Sequence, residues 1–359
     1  MAGRKKSVID GLLYIINIVV AVALLLSYLA YYFDPELTTF FAFFGLAYPV
    51  LLLLNVLFIL YWALRLKVKI VLSLVCIGIG YMHVLRFYQF SGQHKVVNPD
   101  ETLKVMTYNL RQFNKFAWLD LPNVQEEIVA LVNEEKPDVL LVQEYQDGES
   151  SPDFGFPYRY QTFPTGKKAS GMVIFSKIPF EKTGAIQFGI APDSSDAGQA
   201  LYADISFNGK LIRLINTHLA SVGFDRQEYQ RLENPNEGDQ EEIKRDFAKI
   251  YRQLKDAFAK RSYQTKVLEN AVESSPHPVI LGGDFNDTPH GYVYHRINLQ
   301  LKDSYMEAGY GWPRTFVKGP IPFRIDFLFH EETLNPISFE IINKELSDHY
   351  PVVTELEWQ

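Results

Sequence analysis

The sequence predicts a chain of two unlike parts, an all-α membrane anchor over residues 1–92 and one α/β domain over residues 103–359. Three observations predict it. Long uncharged runs crowd the N-terminus. Beyond residue 103, brief β-rich runs alternate with amphipathic helical segments. Charge also divides between the parts: residues 1–95 hold eight basic and three acidic side chains, net +5, and the rest hold 27 and 39, net −12. The chain-wide averages of 47% hydrophobic and 21% charged residues over 359 positions conceal this split. They still exclude a disordered or collagen-like chain, and the single cysteine excludes a disulfide scaffold.

Residues 11–33 carry no charged side chain over 23 positions, and residues 38–64 carry none over 27. As a helix, each can cross a hydrocarbon core of about 30 Å. A third run, Ile70–Leu85, has 16 residues. Lys69 and Arg86 flank it and can snorkel, so the reading is a third span over about 68–88, with a re-entrant hairpin as the alternative. The first run exceeds the roughly 7–15-residue core of a signal peptide, and a second follows at once, which favours a retained anchor. Arg4, Lys5 and Lys6 precede the first span; Asp34 and Glu36 follow it; Arg65, Lys67 and Lys69 follow the second. The positive-inside rule then predicts an integral protein of the plasma or inner membrane, its N-terminus cytoplasmic and its large domain extracytoplasmic. Without a third span the domain would be cytoplasmic. The sole cysteine, Cys76, lies in the third run, so the domain has none, which is compatible with an oxidising compartment.

Residues 93–102 read as a polar linker. Leu103–Tyr108 reads as a strand. Val124–Glu135 is a helix by its apolar spacing at Val124, Ile128, Leu131 and Val132. Asp138–Val142 and Gly171–Phe175 are apolar enough for strands covered on both faces. Leu201–Phe207 and Leu211–Thr217 flank Asn208-Gly209-Lys210, a hairpin signal. Glu241–Glu273 is charged and amphipathic, one long helix or two. Val279–Gly282, Arg324–Phe329 and Val352–Trp358 are further strands.

The chemistry collects where these strands end. Asn109, Gln143-Glu144, Asn216-Thr217-His218 and Asp284-Phe285-Asn286-Asp287 each follow an apolar run, Asp326 lies within one, and Ser347-Asp348-His349 precedes the last. Taken singly, an Asn or Asp after a strand is a common turn former. Taken together, six apolar strands running into carboxylate, amide or imidazole groups point to a site at one sheet edge. Oxygen donors with amide support suit a hard cation such as Mg²⁺ or Mn²⁺, whereas the lack of paired Cys and of HxxxH spacing argues against zinc. No phosphate-binding GxxxxGK[ST] loop is present.

In order along the chain, MTYNL (106–110), VQE (142–144), SGMVIFSK (170–177), INTHL (215–219), GGDFND (282–287), RIDFLF (324–329) and SDHYPV (347–352) resemble the motifs of the endonuclease/exonuclease/phosphatase family, the fold of deoxyribonuclease I. The resemblance implies a four-layer αββα sandwich and a metal-dependent phosphoester hydrolase. It also implies residue roles. Glu144 would be the principal metal ligand, with Asn109 and Asp348 near the metal or its waters. Asp284 would orient and deprotonate the attacking water, His349 would pair with Asp326, and His218 and Asn286 would donate to phosphate oxygens. Metal number and the identity of the base stay open.

The substrate class is open as well: nucleic acid, nucleotide or phospholipid headgroup. A phosphodiesterase of nuclease type is the first reading, a sphingomyelinase-like lipid phosphodiesterase the second, and a catalytically inactive module on a membrane stalk the third. The −12 charge lacks the basic footprint of a tight polynucleotide binder. Lys167, Lys168 and Lys177 could form a local cluster, although a solvated patch is the plainer reading. The polar segment between His218 and Glu241 could be a substrate lid or a simple insertion.

Overall fold

Pro49 and Gly80 break two of the three apolar N-terminal runs. The computed structural model describes residues 2–92, 101–115, 117–147, 151–162, 171–189, 198–224, 228, 239–318 and 321–359. Its first helix, Ala2–Leu29 (α1), is continuous, and within the 22 residues Val8–Leu29 an 18-residue window reaches a mean hydropathy of 2.5. The second run is two helices, Phe40–Leu46 (α2) and Tyr48–Leu64 (α3), bent by 62°. The third is Ile70–Ile79 (α4) and Tyr81–Phe87 (α5), bent by 74°. Among the described residues, one helix is long and apolar enough to cross a bilayer, or three spans result if each bent pair counts as one. Of the three expected spans, the first is thus a single continuous helix, and the second and third are bent pairs. Pro49 sits in the first turn of α3, where its missing N–H costs nothing, but it could not continue a helix from α2. At Gly80 the ring of Tyr28 packs so closely that a Cβ would lie 2.1 Å from it.

Buried polar side chains tie these helices together. Asn17 donates to Ser73 Oγ at 2.8 Å and accepts from the Trp62 indole at 2.9 Å. Such bonds suit helices with apolar surroundings. Asp10 meets Arg65 at 2.7 Å.

The domain is built on two parallel strand pairs. Leu103–Asn109 (β1) pairs with Val139–Tyr145 (β2), and Lys210–His218 (β7) with Val279–Asp284 (β8). Antiparallel strands extend each pair. Tyr158–Thr162 (β3), Gly171–Ser176 (β4), Leu334–Ile341 (β11) and Val352–Trp358 (β12) complete one sheet, in the order β11-β12-β1-β2-β4-β3. Phe180–Gly189 (β5), Gly198–Phe207 (β6), Lys302–Asp303 (β9) and Asp326–His330 (β10) complete the other, in the order β5-β6-β7-β8-β10-β9. Asn208 and Gly209 both take positive φ, 51° and 77°, and close the β6–β7 hairpin.

Val105, Leu141 and Ile174 of the first sheet pack face to face with Leu214, Ile280 and Leu328 of the second. Val124–Glu135 (α6) lays Ile128, Leu131 and Val132 over the outer face of the first sheet. Gln240–Glu273 (α7) is one helix, its N-terminus capped by Asp239, and with Tyr292–Asn298 (α8) it covers the second sheet. Ser304–Ala308 (α9) is a short helix after β9. The layers are helix, sheet, sheet, helix.

The N-terminal helices dock on the second sheet's helix layer. Lys266 of α7 bridges Asp34 at 2.7 Å and also meets Glu36. Tyr31 packs on His295 in a tilted arrangement with centroids 4.1 Å apart, Tyr48 likewise on His290 at 3.7 Å, and Gln89 exchanges backbone hydrogen bonds with Gly311.

Burial, then the charges of Arg296 and Arg86, pull the His295 imidazole from 6.5 down to about 4, and burial holds His290 well below its ordinary value. Both are neutral when docked, so the stability they contribute is complete above 6.5 and is lost as pH falls toward 4. The full chain in detergent should therefore melt at a lower temperature near pH 5 than near pH 7.5, and His295→Phe should flatten that dependence. A melting temperature indifferent to pH across this window contradicts the assignment.

Candidate active site

Register brings the polar residues into line. The parallel β7–β8 pairing sets His218 beside Asp284, and the antiparallel β8–β10 pairing sets Asp284 beside Asp326. In the facing sheet, Asn109 lies beside Gln143. Strand β12 runs antiparallel to β1, so the Ser347-Asp348-His349 segment before it arrives at the end of β1. Ser347 Oγ fixes it there by donating to the Asn109 carbonyl at 2.8 Å.

Two buried amides hold the sheets together at this edge. Gln143 donates to Asn216 Oδ1 at 2.7 Å and to Thr107 Oγ1 at 3.0 Å. Asn216 donates in turn to the carbonyls of Val142 at 2.8 Å and Val173 at 2.9 Å. The register of β2 on β4 shifts between Val142 and Tyr145, and Glu144 takes a φ of 51° within that bulge. Bulges re-aim side chains, and Glu144 turns toward the site.

Around this frame Asn109 Nδ2 lies 3.0 Å from Asp284 Oδ2 and 3.4 Å from Glu144 Oε1. His218 Nε2 lies 3.5 Å from Asp284 Oδ2 and 4.0 Å from Glu144 Oε1. His349 Nε2 is 3.7 Å from Asp284 Oδ2, and its Nδ1 is 2.9 Å from Asp326 Oδ2. Thr315 Oγ1 accepts from the backbone N–H groups of Ile325 and Asp326, at 2.9 and 3.1 Å, and steadies the start of β10.

Burial raises the Asp284 carboxyl against the opposing pull of His349 and His218 and the Asn286 backbone N–H. His349 goes the other way. Burial would lower it, but the carboxylates of Asp326 and Asp284 outweigh burial and push it to about 9. It is therefore an imidazolium near neutral pH, which makes it a donor.

Six of the eight residues singled out from sequence thus converge: Asn109, Glu144, His218, Asp284, Asp326 and His349. Asn286 lines the same cavity; its backbone N–H donates to Asp284 Oδ1 at 2.8 Å and its side chain to the Leu219 carbonyl at 3.1 Å. Asp348 also lines the cavity, but its carboxylate is engaged by the Arg111 guanidinium. Two further cavity-lining residues, Arg111 and Arg261, escaped the sequence reading. Arg111 follows a strand end without a motif of its own. Arg261 lies in the middle of α7, 2% exposed, donating to the Ala220 carbonyl at 3.1 Å, with its Nε unpartnered. Its only signal is a basic residue on the apolar side of an amphipathic helix. Lys167 and Lys168 lie outside the described residues, as does most of the segment between His218 and Glu241. Lys177 is held by the Lys136 carbonyl at 2.7 Å and Asp138 at 3.2 Å.

The donors fit a hard cation. Carboxylate oxygens of Glu144 and Asp284 share one amide, and the buried His218 Nε2 has no hydrogen-bond partner. Asp284, Asp326 and His349 also offer ligand atoms within 4.8 Å of one another.

Residues 106–349 match the family described as the endonuclease/exonuclease/phosphatase family, and residues 10–87 match a domain of unknown function. No curated protein matches the chain in sequence. Among solved structures, an endonuclease/exonuclease/phosphatase from Bacteroides vulgatus aligns at TM-score 0.54 and 20% identity, covering 72% of this chain and 99% of that one. A functionally unknown conserved protein from Enterococcus faecalis aligns at 0.54 and 16%, covering 72% and 100%. The human nocturnin catalytic domain with bound sulfate aligns at 0.52 and 17%, covering 76% and 98%. At these identities the likeness is one of fold.

Gly283 has a φ of 141°, and a Cβ there would fall 1.9 Å from the Thr217 carbonyl oxygen, in the strand beside Asp284. Backbone cannot move aside as a side chain can. Gly283→Ala should cost at least about 2–3 kcal/mol in stability. Thermal unfolding of the purified chain tests this, and a melting temperature equal to wild type would show that the strand pairing tolerates the substituent.

Proposed function

The chain belongs to the endonuclease/exonuclease/phosphatase family and is a hydrolase of phosphoester bonds; from that premise we propose that it is a divalent-metal-dependent phosphodiesterase tethered to a membrane. The observation that carries the chemistry is the row His218–Asp284–Asp326 with His349 across it. One carboxylate is poised as a base and one imidazole is kept cationic, within 3.7 Å of each other.

Glu144 would hold the cation, with Asn109 and Asp348 beside it, as the resemblance implies. Mg²⁺ or Mn²⁺ there would supply Lewis-acid polarisation of the phosphoryl oxygen and charge relief for the leaving oxygen. The chain's own groups do the rest. Asp284, aligned by Asn109 and the Asn286 N–H, orients a water and takes its proton as the new P–O bond forms. His349, fixed by Asp326 through Nδ1, presents Nε2–H to the phosphoryl group. His218 and Asn286 donate to the other equatorial oxygens and spread the transition-state charge. The ester P–O bond breaks opposite the entering water. All eight positions retain chemically competent residues, which argues against the inactive module.

The tethering reading rests on two ends of the helical region. Asp10, Arg65 and Lys69 gather at one end, with Lys69 Nζ donating to the Asp10 carbonyl at 3.3 Å. The domain docks at the other, through Asp34, Glu36 and Gln89. With basic flanks cytoplasmic, the domain lies outside.

Asp284→Asn and His349→Gln should each lower kcat on bis-p-nitrophenyl phosphate by about 10²–10⁴-fold while the fold, read by circular dichroism, stays intact. EDTA should abolish turnover and Mg²⁺ or Mn²⁺ restore it. Near-wild-type rates in either variant, or turnover indifferent to EDTA, would sink the assignment. For topology, Glu332→Cys places a thiol at a side chain 80% exposed, in a Cys76→Ala background. An impermeant maleimide should label it from outside intact cells; labelling only after lysis refutes the external placement.

A further inference from the structure

The active site is one end of a larger cavity of about 740 Å³. Glu144, His218, Asp284 and His349 line the polar end. Arg111, Trp118 and Lys318 line the cavity near Asp348. Most of the remaining lining is apolar, and two helical walls contribute to it. Phe43, Leu46 and Val50 belong to the bent helices α2 and α3; Ile250, Leu254 and Phe258 belong to α7.

This space is built. Phe43 stacks on Tyr251 at 4.8 Å and meets Phe258 edge-on at 5.4 Å, which joins α2 to α7. Gly45 presses against the loop that carries Asp284: a Cβ there would lie 3.3 Å from the His290 carbonyl oxygen. The break at Ala47–Pro49 turns the first residues of α3 to wall the cavity, and Val50, which lines it, is also 41% exposed at its margin. The cavity therefore opens beside the helices that would lie in a bilayer. Exposed aromatic side chains lie near the α2–α7 contact, Phe40, Phe247 and Tyr251, and another, Trp312, packs on Phe87 and Tyr88 at the end of the helical region. Aromatic residues of this kind mark the headgroup level of a membrane. The volume falls within the roughly 300–1,000 Å³ of ligand pockets. Apolar walls gain free energy only from an apolar occupant. Arg111, Lys318 and Trp118 could serve a nucleotide as well as a lipid phosphate, but a polynucleotide would leave the aliphatic walls of Leu46, Val50, Ile250 and Leu254 unused.

Resting on the phosphodiesterase reading above, we propose that the substrate is a phosphoester of a membrane lipid, its phosphate at Asp284 and His349 and its hydrocarbon chain between α3 and α7. Hydrolysis cleaves one P–O bond with one water and needs no further reactant. The buried Arg261, at the junction of the two ends, gives the headgroup a fixed cation.

Two synthetic phosphodiesters that differ only in their chain test this: methyl p-nitrophenyl phosphate and hexadecyl p-nitrophenyl phosphate. Both are assayed with the full chain in detergent and Mg²⁺ or Mn²⁺. The wild type should turn over the hexadecyl ester with kcat/KM at least about tenfold higher. Val50→Trp and Leu254→Trp, which fill the apolar end, should lower the hexadecyl-to-methyl ratio by about tenfold. Leu57→Trp, on an exposed part of α3 outside the cavity, should leave the ratio unchanged and so controls for partition into micelles. Equal rates on the two esters, or a ratio that neither filling variant moves, overturns the lipid assignment while the phosphodiesterase reading stands. A single-stranded oligonucleotide cleaved faster than the hexadecyl ester overturns it in favour of nucleic acid. Turnover of neither ester overturns the phosphodiesterase reading and the inference with it.

Discussion

The hydrogen bond between Gln143 and Asn216 is the constraint on which the site depends. Two sheets packed on apolar side chains alone can slide, because aliphatic contacts are non-directional. A pair of amides buried between them cannot slide without leaving four polar groups unpaired in an apolar interior. Gln143 and Asn216 take their partners from both sheets: Thr107 and the Val142 and Val173 carbonyls on one side, each other across the gap. Glu144 follows Gln143 directly, and His218 stands two residues beyond Asn216. The same pair that fixes the sheets therefore fixes the distance between the carboxylate and the imidazole. Gly282 completes the close approach, since a Cβ there would lie 2.7 Å from Leu141 of the facing sheet.

Within that frame the charges settle one another. Asp284 and Asp326 are neighbours on adjacent strands, both 1–2% exposed, and like charges so placed oppose ionisation. His349 lies between them and is held cationic by both. Asp326, steadied by Thr315, orients that ring through Nδ1, and burial raises the Asp284 carboxyl that the ring's Nε2 faces. Two carboxylates of the same type thus acquire different tasks from their surroundings alone.

Much of this was legible because buried parallel strands advertise themselves. The runs ending at Asn109, Glu144, His218 and Asp284 are nearly all-apolar, so a polar residue at their ends stands out. Helix α6 was equally plain from its spacing. Edge strands were not. Strand β5 carries Glu181, Lys182 and Thr183 along an exposed margin, and β11 contains Pro336 beside a bulge, so neither shows the period of a strand. The bends in the helical region were hidden for another reason. Pro49 and Gly80 barely alter the hydropathy of their runs, and only the restart of α3 and the approach of Tyr28 turn them into breaks. Arg111 and Arg261 depend on tertiary partners far away in sequence, Asp348 and the Ala220 carbonyl, and no local pattern announces such pairs.

The docking of the helices bears on the chemistry through one loop. Residues 284–290 leave β8 at Asp284 and reach the helical region at His290, whose ring lies against Tyr48 and whose carbonyl faces Gly45. Its first turn is held by the Asn286 N–H on Asp284 and by the Asn286 side chain on the Leu219 carbonyl. A short segment clamped at both ends has little freedom between them. The orientation of the Asp284 carboxylate is therefore set from two directions, by the sheet register behind it and by the helices beyond it. Because α2 and α3 also wall the cavity that Asp284 faces, the N-terminal helices are part of the site's structure.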